Sequence, residues 1–122
     1  MNKHNKSQLK AALFDAALQE PVAGARVAAI VECNGLFIHG RNSRKTHPFQ
    51  AKWSKNPQAI CLHAEVDAIK EALRYLEVDD LKKATLYVAR AKADGSPGLA
   101  KPCEGCARCI AAFGIREVYW TE

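Results

Sequence analysis

Two short segments, forty residues apart, constrain how this chain of 122 residues can fold. The first is His63-Ala64-Glu65 and the second is Pro102-Cys103-Glu104-Gly105-Cys106. One imidazole and two thiolates are ligands that suit a zinc ion whose fourth position stays open for water. The Glu65 carboxylate is separate from these ligands and is available to move protons for that water. The pattern therefore indicates a hydrolytic zinc site that the fold must assemble from two distant parts of the chain.

Hydrophobic spacing and turn residues predict the element order α-β-β-α-β-α-β. We expect helices over Ser7–Glu20, His63–Glu77 and Cys103–Gly114, and strands over Ala25–Glu32, Leu36–Gly40, Thr85–Ala91 and Ile115–Thr121. Asn34-Gly35 predicts a tight hairpin between the first two strands, because both turn residues need positive φ. The expected fold class is α/β, with a mixed sheet of about four strands flanked by helices and parallel pairing at its C-terminal end.

Both segments lie at the predicted start of a helix. Cys103 and Cys106 are three residues apart, so their sulfurs point to the same side of that helix. Free N–H groups and the helix dipole favour thiolates in this first turn. His63 has the same position on the preceding helix, so two helix ends can close three sides of a tetrahedron.

The five cysteines are Cys33, Cys61, Cys103, Cys106 and Cys109. An odd number, with three of them within seven residues, is a poor disulfide framework and indicates metal binding in a reducing compartment. A structural zinc site with Cys109 or Cys61 as fourth ligand is an alternative, although it has no use for a carboxylate two residues from the histidine. An iron–sulfur site lacks a fourth cysteine at the usual spacing. We interpret Cys109 as a core thiol and Cys61 as a buried strand-end or loop residue.

The composition is typical of a globular protein, with 48% hydrophobic and 25% charged residues. We expect residues 1–122 to form a single domain, since this length supports one hydrophobic core. No apolar run is long enough to span a membrane, and the basic N-terminal hexapeptide is not followed by the apolar stretch of a signal peptide. We therefore expect a cytoplasmic protein with no membrane partner.

The net charge of +5 comes from one stretch of the chain. Residues 33–64 contain no Asp or Glu, but they contain Arg41, Arg44, Lys45, Lys52 and Lys55. The other 13 basic residues balance the 13 acidic ones. This stretch is either a solvated basic loop or an anion-binding rim beside the zinc, and a rim would favour a phosphate-bearing partner.

At these residues the chain resembles the zinc-dependent cytidine and deoxycytidylate deaminase superfamily, whose signature is H-x-E followed by P-C-x-x-C. The likeness covers about residues 25–119 and includes Phe113-Gly114-Ile115 after the second segment. It implies a three-layer α-β-α fold and one catalytic zinc ion on His63, Cys103 and Cys106. It also implies hydrolytic deamination of cytosine to uracil, in which Glu65 protonates N3 and then the departing amine.

The resemblance implies substrate contacts as well. Asn42 would hold the sugar or base, and the backbone N–H of Ala64 would meet the pyrimidine carbonyl. Arg44 and Lys45 belong to the basic stretch, and Trp53 lies in the loop that would cover the substrate. The segment that follows Asn42 is not the glycine-rich loop expected of typical deoxycytidylate deaminases, so the identity of the substrate is what the resemblance implies least directly.

Three functions fit this sequence. We expect deamination of a free cytosine nucleotide, with deoxycytidylate first, because the acid-free basic stretch favours a nucleotide over a nucleoside. The alternative is a deaminase of cytosine or adenosine in single-stranded DNA or RNA, supported by the same stretch with Phe49 and Trp53 and by the basic hexapeptide. The third is a non-catalytic, zinc-stabilised binding module, against which Glu65 argues. A homo-oligomer is also expected, since a sheet edge left open after the last strand offers a site for a partner chain.

Overall fold

The structure is a computed structural model, and it describes residues 1–21, 25–43 and 63–122. Its helices are α1 (Lys3–Leu18), α2 (Ala64–Ala72) and α3 (Glu104–Ala112), with a 3-10 helix at Val78–Lys83. Its strands are β1 (Arg26–Cys33), β2 (Leu36–Arg41), β3 (Thr85–Ala91), β4 (Pro97–Gly98) and β5 (Glu117–Trp120). The predicted order is confirmed, with a two-residue strand and a 3-10 helix added to it. In these described ranges, no helix has the length and apolar character needed to cross a membrane.

The five strands form one mixed sheet. Strand β1 lies between β2 and β3 and is antiparallel to both. On its other edge, β3 pairs antiparallel with β4 and parallel with β5, where Tyr87 faces Tyr119. Asn34 and Gly35 have φ of 52° and 79°, as the predicted hairpin turn requires. The hairpin and the parallel pairing near the C-terminal end are both confirmed.

Helices cover both faces of this sheet, which confirms the three-layer arrangement. Helix α1 packs through Leu9 on the face that contains Ile30 and Tyr87. The opposite face, with Val31 and Leu86, packs against α2 and α3. The central strand β3 is buried on both sides because it contributes apolar residues to both cores. The N-termini of α2 and α3 are therefore on the same side of the sheet.

Helix α1 begins four residues before the predicted start at Ser7 and ends at Leu18 rather than Glu20. Asn2 caps it, because its Oδ1 accepts a hydrogen bond from the Asn5 N–H at 2.8 Å. The side chain of Asn5 is buried, and the Asn5 Oδ1 accepts a hydrogen bond from the Tyr87 hydroxyl at 2.9 Å. The basic hexapeptide is thus largely helical and packed on the sheet.

Helix α2 ends at Ala72, so the predicted extension to Glu77 is wrong. After Ala72 the chain tightens into turns, in which the Tyr75 N–H donates to the Ala72 carbonyl at 3.0 Å. Leu73 and Leu76 still pack against the core, which explains why the apolar spacing continues past the helix. Reciprocal hydrogen bonds between Glu77 and Asp80 then start the 3-10 helix.

The C-terminal elements are shorter than predicted. Helix α3 begins after Cys103 and ends at Ala112, and Gly114 follows it with φ of 77°. The left-handed backbone at Gly114 is the predicted helix stop. Strand β5 spans only Glu117–Trp120, although the next residue still contacts β3, because the Thr121 N–H donates to the Val88 carbonyl at 3.1 Å. The Thr121 hydroxyl accepts a hydrogen bond from the Arg90 N–H and donates one to the Gly98 carbonyl.

Candidate active site

The N-termini of α2 and α3 meet, and each is preceded by a residue that can bind a metal. His63 is the N-cap of α2 and Cys103 is the N-cap of α3, both with extended backbone. The Cys103 sulfur accepts a hydrogen bond from the Cys106 N–H at 3.5 Å, as N-cap side chains do. The capping geometry thus aims the Cys103 sulfur at the open end of its own helix, where α2 also begins.

Three potential ligand atoms converge between the two helix ends. The Nδ1 atom of His63 lies 3.2 Å from the Cys106 Sγ and 3.4 Å from the Cys103 Sγ. All three atoms lie within 4.8 Å of one another. Tetrahedral zinc with ordinary Zn–N and Zn–S bond lengths places nitrogen and sulfur about 3.5 Å apart. The separations fit a zinc ion, and a set of three ligands leaves the fourth tetrahedral position for water.

The other described cysteines lie apart from this group. Cys109 is fully buried in the core on the same helix, as predicted, and is not one of the converging residues. Cys33 is buried on β1, where its thiol donates to the Asp80 carbonyl at 3.3 Å. Cys61 lies outside the described residues. Among the described residues, the converging group therefore contains no third cysteine.

The two thiols that face His63 have opposite pKa shifts. Hydrogen bonds with the thiol of Cys106 and with His63 lower the pKa of Cys103 to about 4. The same contact between the thiols, together with burial, raises the pKa of Cys106. The hydrogen bond with Cys103 also raises the pKa of His63. One thiolate is thus present at neutral pH, and a cation in the group would favour ionisation of the second.

Glu65 is a buried carboxyl group in the first turn of α2. Its residue is only 6% exposed, and burial raises the pKa of its carboxyl group. A hydrogen bond links it to the Cys106 thiol, so it lies against the converging ligands. A carboxyl group whose pKa is raised above its usual range is better suited to take up and release a proton than an exposed one. Buried carboxyl groups with raised pKa are typical of functional sites.

The structure describes two of the five residues expected to bind substrate. Asn42 follows β2, and its Oδ1 accepts from the Val27 N–H while its Nδ2 donates to the Ala25 carbonyl, both at 3.2 Å. These two bonds use half of the hydrogen-bonding capacity of the amide. Ala64 is buried at the first position of α2, where backbone N–H groups have no partner within the helix. The remaining three, Arg44, Lys45 and Trp53, lie outside the described residues.

The sequence patterns did not single out the close contact between β2 and α2. The backbone of Gly40 touches Ala64 and Ala68, and the Asp67 Oδ2 accepts a hydrogen bond from the Arg41 N–H at 3.0 Å. A glycine inside a predicted strand often marks a close approach of another backbone. That signal was present in the sequence at Gly40.

Comparison with known proteins now identifies the family. The model of the family described as cytidine and deoxycytidylate deaminase zinc-binding region matches residues 2–122. The chain belongs to the cytidine and deoxycytidylate deaminase family. Zinc is the metal named for this family, and His63, Cys103 and Cys106 form the possible zinc site of this member.

Solved structures of deaminases have a similar fold. The dCMP deaminase from cyanophage S-TIM5 in complex with dCMP and dUMP is 25% identical, with a TM-score of 0.66, and the match covers 98% of this chain and 82% of that one. The apo form of that enzyme is 24% identical, with a TM-score of 0.65 and coverage of 98% and 84%. Cytidine deaminase from Burkholderia pseudomallei is 20% identical, with a TM-score of 0.63 and coverage of 94% and 79%. No curated protein sequence matches significantly.

Proposed function

We propose that this family member removes ammonia from the cytosine ring of a free nucleotide by hydrolysis, and that deoxycytidylate is its substrate. The observation that carries the proposal is the buried carboxyl group of Glu65 beside His63, Cys103 and Cys106. Membership of the deaminase family supports the reaction class. The cyanophage enzyme in complex with dCMP and dUMP supports a nucleotide substrate.

The proposed reaction forms a C–O bond at C4 of cytosine and breaks the bond between C4 and the amino nitrogen. His63, Cys103 and Cys106 would hold the zinc ion, which would lower the pKa of a bound water molecule toward about 7. Glu65 would take one proton from the attacking water and deliver it to N3, and would then transfer the second proton of that water, now on the new C4 hydroxyl group, to the leaving amine. Burial raises the pKa of the Glu65 carboxyl group, which favours its protonated form and supports its proposed role as a proton carrier. The products are deoxyuridylate and ammonia.

The substrate contacts are proposed from position. The N–H of Ala64 points out of the first turn of α2 and would donate to the pyrimidine carbonyl. Asn42 would hold the sugar or base through its side-chain amide, whose bonds to described residues are those to Val27 and Ala25. Arg44 and Lys45 would attract the phosphate, and Trp53 would stack on the base.

The test is a measurement of ammonia release from cytosine, cytidine, deoxycytidine, their monophosphates and a short single strand. We expect the highest kcat/KM with deoxycytidylate. Equal rates with deoxycytidine would reject the nucleotide preference. If the zinc-loaded protein releases no ammonia from any of them, the enzyme hypothesis fails and the zinc-stabilised binding module takes its place.

A second candidate is deamination of cytosine or adenosine in single-stranded nucleic acid, supported by the basic stretch of residues 33–64. The exposed Lys3 and Lys6 of the basic hexapeptide add less support than the sequence suggested, because α1 lies on the opposite face of the sheet from α2 and α3. A salt titration separates the two candidates. Affinity for a polynucleotide falls steeply with salt, whereas mononucleotide binding changes much less.

A further inference from the structure

We propose that Gly40 and Asp67 are positioning residues, which hold the ligand-bearing end of α2 against β2 and thereby set the metal affinity of the site. The proposal rests on the proposed function, because it takes His63 as a zinc ligand. Neither residue touches the converging ligand atoms. Each acts instead on the first two turns of α2, which follow His63 directly.

Gly40 is buried on β2, and its backbone lies against the helix with no space for a side chain. A Cβ atom at this position would be 2.3 Å from the Ala68 nitrogen and 2.6 Å from the Ala64 carbonyl oxygen. In an α-helix these two atoms are the donor and acceptor of one hydrogen bond. A methyl group would therefore push into that bond. Ordinary contact begins at 3.4 Å, so α2 would have to move about 1.1 Å away from β2.

Asp67 links β2 to the metal-binding end of the same helix. Its Oδ2 accepts a hydrogen bond from the Arg41 N–H at 3.0 Å, on the residue next to Gly40. Its own N–H donates to the His63 carbonyl at 2.8 Å, which is the first hydrogen bond of the helix. Lys70 lies 3.6 Å from its other carboxylate oxygen and helps to hold the side chain in place. Asp67 thus connects the β2 backbone with the backbone of His63.

Two parts of the site would be separated if this contact were lost. His63 and Glu65 flank Ala64 and would move with α2, whereas Cys103 and Cys106 belong to α3. A displacement of about 1 Å exceeds the tolerance of about 0.2 Å in metal–ligand distances. Loss of groups that orient a metal ligand typically lowers metal affinity about 10–100-fold. We expect a decrease of that size for Gly40→Ala.

The experiment measures zinc affinity of the full chain by competition with a chelator, and the absorption spectrum after Co²⁺ substitution. Gly98→Ala is the matched control, because a Cβ atom at Gly98 would have its nearest neighbour at 3.5 Å. Ile30→Val controls for general destabilisation, because Ile30 packs with α1 on the other face of the sheet. Asp67→Ala removes the acceptor for the Arg41 N–H, whereas Asp67→Asn keeps a side-chain oxygen that can accept this hydrogen bond.

The proposal predicts weaker zinc binding and an altered Co²⁺ spectrum for Gly40→Ala and Asp67→Ala, with affinities near the parent for Gly98→Ala, Ile30→Val and Asp67→Asn. The proposal is overturned if Gly40→Ala and Asp67→Ala both bind zinc as tightly as the parent. It is also overturned if Ile30→Val, at the same loss of Tm as these two variants, loses as much zinc affinity as they do. Should Gly40→Ala fail to fold, the two Asp67 variants decide. A parent that binds no zinc overturns the proposed function. A parent that binds zinc and deaminates, with variants of equal affinity, overturns only the positioning proposal.

Discussion

Replacement of Cys106 by alanine tests whether zinc binding contributes to the folding free energy of this protein. Cys106 and Cys109 are three residues apart on α3, and both are fully buried. Only Cys106 belongs to the converging ligand group. The variants Cys106→Ala and Cys109→Ala therefore remove the same atoms from the same helix, and they differ in whether a ligand is lost.

The expected magnitude follows from linkage. Each substitution leaves a small cavity that costs on the order of 1 kcal/mol. Zinc at about 1,000 times its Kd adds about 4.1 kcal/mol to the stability of a protein that binds it only when folded. A chain of this size gains roughly 4 °C in Tm for each kcal/mol, so zinc should raise the Tm by about 15 °C. We expect this rise in the parent and in Cys109→Ala, and little or none in Cys106→Ala.

The assay is thermal unfolding by circular dichroism, with excess zinc and with a chelator. In chelator, both variants should unfold at similar temperatures, slightly below the parent. If zinc raises the Tm of Cys106→Ala as much as that of Cys109→Ala, then Cys106 is not a ligand and the geometric reasoning is refuted.

Three further predictions concern other parts of the molecule. Burial and the hydrogen bond with Glu32 raise the pKa of Tyr87, so its contribution to stability should be complete below about pH 10 and decline at higher pH. Tyr87→Phe should lower the free energy of unfolding by about 1–3 kcal/mol at pH 7, as measured by urea unfolding. The stability of this variant should also decline less than that of the parent at alkaline pH, and an equal decline would contradict the role of Tyr87. Asn42→Ala should raise KM for deoxycytidylate, because the proposed contact with the substrate is lost, and should lower the Tm, because the side-chain bonds to Val27 and Ala25 are lost. A loss of Tm with unchanged KM would limit Asn42 to a structural role. A homo-oligomer is expected in sedimentation velocity at micromolar concentration, and a monomer at all concentrations would reject it.

The sequence predicted the elements whose signals are local. The Asn34-Gly35 turn needs positive φ at two successive residues, and this requirement does not depend on distant contacts. The start of α3 was placed within one residue, because Cys103 is the N-cap of that helix. The end of α2 was placed wrongly because Leu73 and Leu76 serve the core without being helical. The spacing of apolar residues indicates which residues are buried, and in this protein the buried residues continue beyond the end of α2.

The sequence predicted which residues form the candidate metal site, but it predicted less well the contacts that hold the neighbouring backbone in place. The sequence could group His63, Cys103 and Cys106 because the ligands of one zinc ion must lie close together. The links from Asn42 to Ala25 and Val27 depend on how the turn after β2 folds back on the start of β1, which no local pattern contains. The contact of Gly40 with α2 depends likewise on how the helix crosses the sheet.

The central claim is that Glu65 moves protons at a zinc site formed by His63, Cys103 and Cys106. The most direct test measures kcat for ammonia release from deoxycytidylate by the parent and by Glu65→Gln, with the zinc content of both proteins determined. Glu20→Gln, at an exposed residue, is the control for the substitution itself. We predict one zinc per chain in all three proteins and a loss of kcat on the order of 10²–10⁴-fold in Glu65→Gln alone. Equal rates in the parent and in zinc-loaded Glu65→Gln would contradict the account.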